Sequence, residues 1–152
     1  MKFTCLIENL KKGISISEKI TSQNITLPIL SYILLTTDTN KLKISATDLE
    51  IGLNYFIPGK VEEKGSVLIP SRIFANIINN FEGDKITLEV QDNKLTIQND
   101  KTHLVIQGGS EEEFPIIPNI DAAQFIEINS KDLLISLNQV LRSAGAGLSK
   151  PE

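Results

Sequence analysis

The sequence predicts an α+β fold made from a β-α-β-β-β unit that occurs twice. Three observations carry this. Two stretches of the chain run through the same order of elements. They share a local string, Asn40-Lys41-Leu42-Lys43-Ile44 against Asn93-Lys94-Leu95-Thr96-Ile97, and each copy opens the second strand after its helix. The length of 152 residues, 41% apolar and 22% charged, suits one soluble globular domain with a fragment of a second.

In the first stretch, Lys2 to Glu8 has strand-like content, and Leu10, Ile14 and Ile20 then form a helical stripe weakened by Gly13. A polar loop (Thr21-Ser22-Gln23-Asn24) leads to Leu27-Pro28-Ile29-Leu30, where the proline calls for an extended or turning approach. Strands follow at Ser31 to Thr37, Lys41 to Ala46 and Glu50 to Ile57, the first two joined by a hairpin turn at Asp38-Thr39-Asn40.

The second stretch opens with a strand at Ser66 to Ile69 and a helix start at Pro70-Ser71. Ile73, Phe74, Ile77, Ile78 and Phe81 fall on one face of the clearest helix in the chain, and Gly83 is expected to end it. Strands are predicted at Lys85 to Val90, Lys94 to Gln98 and Thr102 to Gln107, with turns at Gln91-Asp92-Asn93 and Asn99-Asp100. A third round starts with a strand at Phe125-Ile126-Glu127-Ile128 and a helix capped by Asn129 or Ser130, with Leu133, Leu134, Leu137, Val140 and Leu141 on one face. Starts near Phe3, Val67 and Phe125 lie about 60 residues apart, and two such units make about one small domain. The expected organisation is a first domain over residues 1–120, with units at about 1–60 and 61–108 and a linker of solvated glutamates (Glu111, Glu112, Glu113). Residues 121–152 are then the truncated start of a second domain.

Chemistry-bearing patterns are sparse. Cys5 lies in an apolar alternating run and reads as a buried small side chain, and His103 has no cysteine or second histidine with which to share a metal. No nucleophile elbow, phosphate loop, dinucleotide fingerprint, zinc pattern or kinase signature is present, so neither cofactor nor metal is expected. Asp48 and Glu50 alternate on a strand and could share acid-base work, but a solvated hairpin edge is the plainer account. No apolar run nears the roughly 20 residues of a membrane-spanning helix and no signal peptide is evident, which points to the cytoplasm. The net charge of −4 means that any nucleic-acid binding must be local or topological.

Five strings, in order, carry a family resemblance: Met1-Lys2-Phe3-Thr4, Thr26-Leu27-Pro28-Ile29-Leu30, Ala46-Thr47-Asp48-Leu49-Glu50, Ile69-Pro70-Ser71-Arg72 and Glu112-Glu113-Phe114-Pro115. In them the chain resembles the bacterial sliding clamp, the beta subunit of DNA polymerase III. The resemblance implies a DNA-clamp fold with antiparallel sheets outside and two helices on the inner face. It further implies a non-catalytic processivity factor: a homodimeric ring around double-stranded DNA that works with the polymerase catalytic subunit and the clamp loader. Polar helix faces would point into the hole, giving as DNA-binding candidates Lys11, Lys12 and Lys19, then Arg72, Asn76 and Asn80, then Lys131, Asn138 and Arg142. Gln23 and Asn24 fall in a loop that touches DNA in the family, although many relatives carry an arginine near Asn24, and Lys150 lies near a second contact region. Ile73, Ile77, Leu104 and Ile106 are the implied dimer interface. The alternatives are a generic interaction module of the same fold and a small carboxylate-dependent enzyme.

Overall fold

Strand pairing, rather than chain order, organises the first part of the molecule. The computed structural model of the chain describes residues 1–21, 27–118 and 126–143, in two compact units, Met1–Ile117 and Pro118–Glu152. The first unit opens with β1 (Lys2–Leu6), α1 (Ile7–Ile20), a 3-10 turn (Pro28–Ser31), β2 (Tyr32–Asp38), β3 (Lys41–Thr47), β4 (Gly52–Pro58) and β5 (Lys60–Glu63). It continues with β6 (Ser66–Pro70), α2 (Ser71–Asn79), β7 (Lys85–Gln91), β8 (Lys94–Gln98) and β9 (His103–Gln107).

The sheets have the orders β5-β1-β7-β8-β9 and β4-β3-β2-β6. Each repeat therefore lends its opening strand to the other: β1 pairs with β7 along Lys2↔Glu89 to Leu6↔Lys85, and β6 pairs with β2 along Ser66↔Thr36 to Pro70↔Tyr32. After the last strand of each meander the chain crosses back to its own opening strand through a glycine. The Gly59 amide donates to Asn40 O at 3.1 Å, and the Gly108 amide donates to Asn93 O at 2.8 Å. The two acceptors are the asparagines of the shared string, and both hold the left-handed backbone that the turn needs (φ 56 and 58). A Cβ on Gly59 would lie 2.4 Å from the Phe3 ring and 2.6 Å from Thr4 O, and one on Gly108 would lie 2.6 Å from Leu68 O. Equivalent strands are crowded in both places, and only glycine lets the backbones approach this closely.

Past Gly59 the chain forms β5 beside β1, and past Gly108 it makes a bridge between Gly109 and Leu68 beside β6. β5 was not expected, because Lys-Val-Glu-Glu has too few apolar positions to signal a strand. It is a short charged edge in which Glu62 is paired to Lys60 at 2.9 Å and to Lys2 at 3.2 Å. Such an edge discourages further strand addition.

One core fills the space between the sheets and the helix pair. Phe3, Leu88, Leu95 and Ile97 come from one sheet, Ile33, Leu35, Leu42, Ile44 and Ile69 from the other, and Leu10, Ile14, Phe74 and Ile78 from the helices. The alternation of buried and exposed residues in β2, β3, β7 and β8 is the two-residue period read from the sequence. α1 is longer than the sequence suggested, and Gly13 is the reason it packs rather than a weakness. A Cβ there would lie 2.9 Å from both Tyr55 and Ile57, so the bare glycine brings the helix onto β4. α2 ends earlier than expected. Asn80 caps it, Phe81 is buried beyond the helix, and Gly83 (φ 115) turns the chain toward β7.

The segment after Gly109 straps the outer face of the β4-β3-β2-β6 sheet. Leu68 points away from the core yet is 1% exposed beneath it, Phe114 is buried, and at the far side Ile117 packs on Gly52. The glutamates form a 3-10 turn, Glu111–Glu113, closed by a capping box between Ser110 and Glu113. In the second unit α3 (Ser130–Val140) is capped by the Asn129 side chain, which accepts from Lys131 N at 2.9 Å. The expected strand before it does not form over Ile126–Ile128, and Phe125 lies outside the described residues. A strand needs a neighbouring strand to satisfy its backbone, and none is described in that unit.

Gly59→Ala should lower stability by roughly 1–3 kcal/mol through overpacking against Phe3 and Thr4, whereas Gly109→Ala, whose Cβ would meet only side chains at 3.4 Å or more, should cost less. Urea denaturation midpoints of the two variants check this.

Candidate nucleic-acid interface

The surface that can meet a polyanion is built by α1 and α2. They run antiparallel: Lys11 Nζ donates to Asn79 O at 3.0 Å at the end of α2, and at its start Ser71 Oγ lies 3.4 Å from Thr21 Oγ1, beyond the end of α1. Their buried stripes (Ile7, Leu10, Ile14 and Ser17; Phe74, Ala75 and Ile78) face the core, so among the described residues the opposite faces are exposed. Those helices hold four cations, Lys11, Lys12, Lys19 and Arg72, against two carboxylates, Glu8 and Glu18, on a chain whose net charge is −4. The helix layer is thus locally basic on an acidic protein.

Lys12, Lys19, Arg72, Asn76 and Asn80 are exposed on this layer, whereas Lys11 is half-buried. Asn80 Nδ2 donates to Asn76 O at 2.8 Å, which turns that amide back onto its own helix. Lys131 and Asn138 are exposed on α3, in the second unit. Arg142 falls in the turn Leu141–Ser143, and its side chain is outside the described residues, as are Gln23, Asn24 and Lys150. Sequence reasoning missed Asn79, whose part is played by a backbone carbonyl, and the Thr21–Ser71 contact, for which no sequence signal exists.

At the open edge of the five-stranded sheet, Leu104 and Val105 of β9 are 39% and 55% exposed, and Ile73 of α2 is 52% exposed. Ile77 is half-buried against the core. Ile106, implied as a subunit contact by the resemblance, is 7% exposed and packs in the core opposite Leu95. Leu104 pairs with Ile97 on the same face and stays partly exposed at the strand edge among the described residues.

The carboxylate pair resolves into a turn. Asp48 Oδ1 accepts from the amides of Glu50 at 3.0 Å and Ile51 at 2.7 Å, while Thr47 Oγ1 donates to Ile51 O and accepts from Leu49 N. These bonds hold Leu49 in the left-handed region (φ 77), which costs a non-glycine residue energy and needs such support. The hydrogen bonds from Ile51 and Glu50 hold the Asp48 carboxyl below the usual carboxylate range, making it a poor proton acceptor. Glu50 does not share a strand face with it, because β4 starts only at Gly52. Burial pushes the Cys5 thiol up to about 12, which leaves it an unreactive packing group.

Residues 1–118 match the family model described as DNA polymerase III beta subunit, N-terminal domain. The chain belongs to the DNA polymerase III beta subunit family. A beta sliding clamp from Synechocystis is 28% identical over 95% of this chain and 38% of its own length. Among solved structures, a Helicobacter pylori beta clamp is 27% identical with a TM-score of 0.74, over 80% of this chain and 33% of that one. The beta subunit from Pseudomonas aeruginosa, at 24% identity, shares the fold with a TM-score of 0.82 over 91% of this chain. The chain spans less than half the length of the relatives it matches. Four of the five strings lie at joints of the fold, namely the 3-10 turn before β2, the β3–β4 turn, the β6–α2 junction and the strap, and the fifth is in the opening strand.

Asp48 is acidified in the fold, so its contribution to stability is complete above the ordinary carboxylate range near 3.8 and is lost as pH falls through its lower folded value. Asp48→Asn should therefore flatten the fall in thermal midpoint below about pH 4 relative to the parent chain. Equal slopes would contradict the turn's dependence on that carboxylate.

Proposed function

We propose that this chain supplies the first domain, and the start of the second, of a sliding clamp: a non-catalytic, cytoplasmic processivity factor that encircles double-stranded DNA as a homodimer. The observation that carries the reading is the basic, polar outer face of the α1–α2 pair on an otherwise acidic chain. Lys12, Lys19 and Arg72 are its leading cations, and Asn76 adds a neutral donor. A ring holds DNA by topology, so the cations need only balance phosphates loosely, and the absence of base-reading contacts permits sliding. Lys131, Asn138 and Arg142, in the second unit, and Gln23, Asn24 and Lys150 are further candidates for phosphate contact. The polymerase catalytic subunit and the clamp loader would engage parts of the natural protein that lie mostly beyond these residues.

By itself this chain should bind duplex DNA weakly. With about three phosphate contacts, affinity should fall roughly 40-fold between about 50 and 200 mM salt. Binding that stays tight at high salt would sink the reading.

Leu104, with Val105 beside it, and Ile73, with Ile77 beneath, are the proposed subunit contact. Two apolar neighbours at an unpaired strand edge are a liability unless another chain covers them. In the natural full-length protein, Leu104→Asp should convert dimer to monomer in sedimentation velocity with little change in the thermal midpoint. A dimer that persists would exclude this edge.

A further inference from the structure

Lys11 and Lys12 are adjacent in sequence but differ in what their ammonium groups do. Lys12 is exposed, whereas Lys11 is half-buried and its Nζ donates to Asn79 O at 3.0 Å, across 68 residues of chain. Asn79 is the last residue of α2, where carbonyls lack a partner within the helix and the negative end of the helix dipole attracts a cation. No described carboxylate forms an ion pair with Lys11. Its hydrogen bond goes to the carbonyl of the other repeat's helix. At the opposite end of the pair, Thr21 Oγ1 divides its contacts between Glu18 O at 2.8 Å and Ser71 Oγ at 3.4 Å. The Lys11–Asn79 bond is thus the short polar tie between the antiparallel helices, with apolar packing beside it and a longer hydroxyl contact at the other end.

We infer that Lys11 is a positioning residue of the DNA-facing surface: its ammonium ties α1 to the end of α2, and it keeps Lys12 and Lys19 aligned with Arg72 instead of binding phosphate itself. The inference rests on the duplex-binding reading of the helix pair. A lysine ammonium has three N–H donors on a flexible stem, and the one given to the α2 carbonyl sets where the Lys11 group rests, at the end of α2. Counterion release counts the cations that meet phosphates, whereas the affinity at any one salt also depends on how well those cations are spaced. Losing a tie and losing a contact therefore leave different signatures.

The test titrates this chain and its Lys11→Met, Lys11→Arg and Lys12→Met variants with a short DNA duplex over a range of salt, and records the backbone amide spectrum of each. Lys12→Met should reduce the slope of log affinity against log salt by about one. Lys11→Met should keep the parent slope while lowering affinity about threefold at every salt, and Lys11→Arg, which retains a donor, should recover most of that loss. The Asn80 amide, which shares a peptide group with the accepting carbonyl, should shift in Lys11→Met and stay put in Lys12→Met. A slope loss in Lys11→Met equal to that in Lys12→Met makes Lys11 a phosphate contact and overturns the inference. An unmoved Asn80 amide overturns it as well, with or without DNA binding. If the parent chain fails to bind duplex while the Asn80 amide still shifts, the tie exists but the duplex reading beneath the inference is wrong.

Discussion

The exchange of opening strands between the two repeats is the constraint on which the rest of this structure depends. Because β1 completes the sheet of β7, β8 and β9 while β6 completes that of β2, β3 and β4, neither repeat can satisfy its backbone hydrogen bonds alone. The exchange puts α1 and α2 side by side across a shared core, although they belong to different repeats. Cations separated by some 60 residues of sequence thus come to lie on one surface. Gly59 and Gly108 are the places where each repeat crosses its own opening strand, and the asparagines at Asn40 and Asn93 receive them. The repeat visible in the sequence as a five-residue string is, in the fold, this pair of crossings.

Much of the fold was legible because period-two alternation and turn chemistry act locally. Asn40, Asp92 and Asn93 take the left-handed backbone expected of hairpin residues, and Leu42, Ile44, Leu95 and Ile97 face inward as their spacing implies. What was not legible depends on distant neighbours. Gly13 looked like a flaw in a helix until Tyr55 and Ile57 came to rest on it, and Lys60–Glu63 became a strand only because β1 lay alongside. Leu68 and Phe114 are buried by a strap that has no periodicity of its own. Ile126–Ile128 has strand-like content without a strand, since content cannot replace a pairing partner.

The candidate site was legible in residue type and less so in residue role. Helical spacing placed Lys12, Lys19, Arg72 and Asn76 outward, away from the buried stripes, because one face of each helix had to be apolar. The same reasoning treated Lys11 like its neighbour, yet a backbone carbonyl across the helix pair claims it. Ile106 and Leu104 share a face of the same edge strand, yet Ile106, opposite Leu95, is a core residue while Leu104, nearer the start of the strand, is left half covered. Strand alternation made Asp48 and Glu50 a conceivable acid-base pair, with a solvated hairpin edge the plainer account. The Asp48 carboxylate instead accepts from the amides of a tight turn, which holds it below the usual carboxylate range.

The most direct measurement is retention of the natural full-length protein on nicked circular DNA after clamp-loader treatment, compared with the same DNA made linear. Encirclement predicts a protein that stays on the circle and is lost from free ends, at salt concentrations that abolish binding by surface charge alone. Equal retention on the two DNAs would contradict the account and leave an ordinary surface-binding module of the same fold.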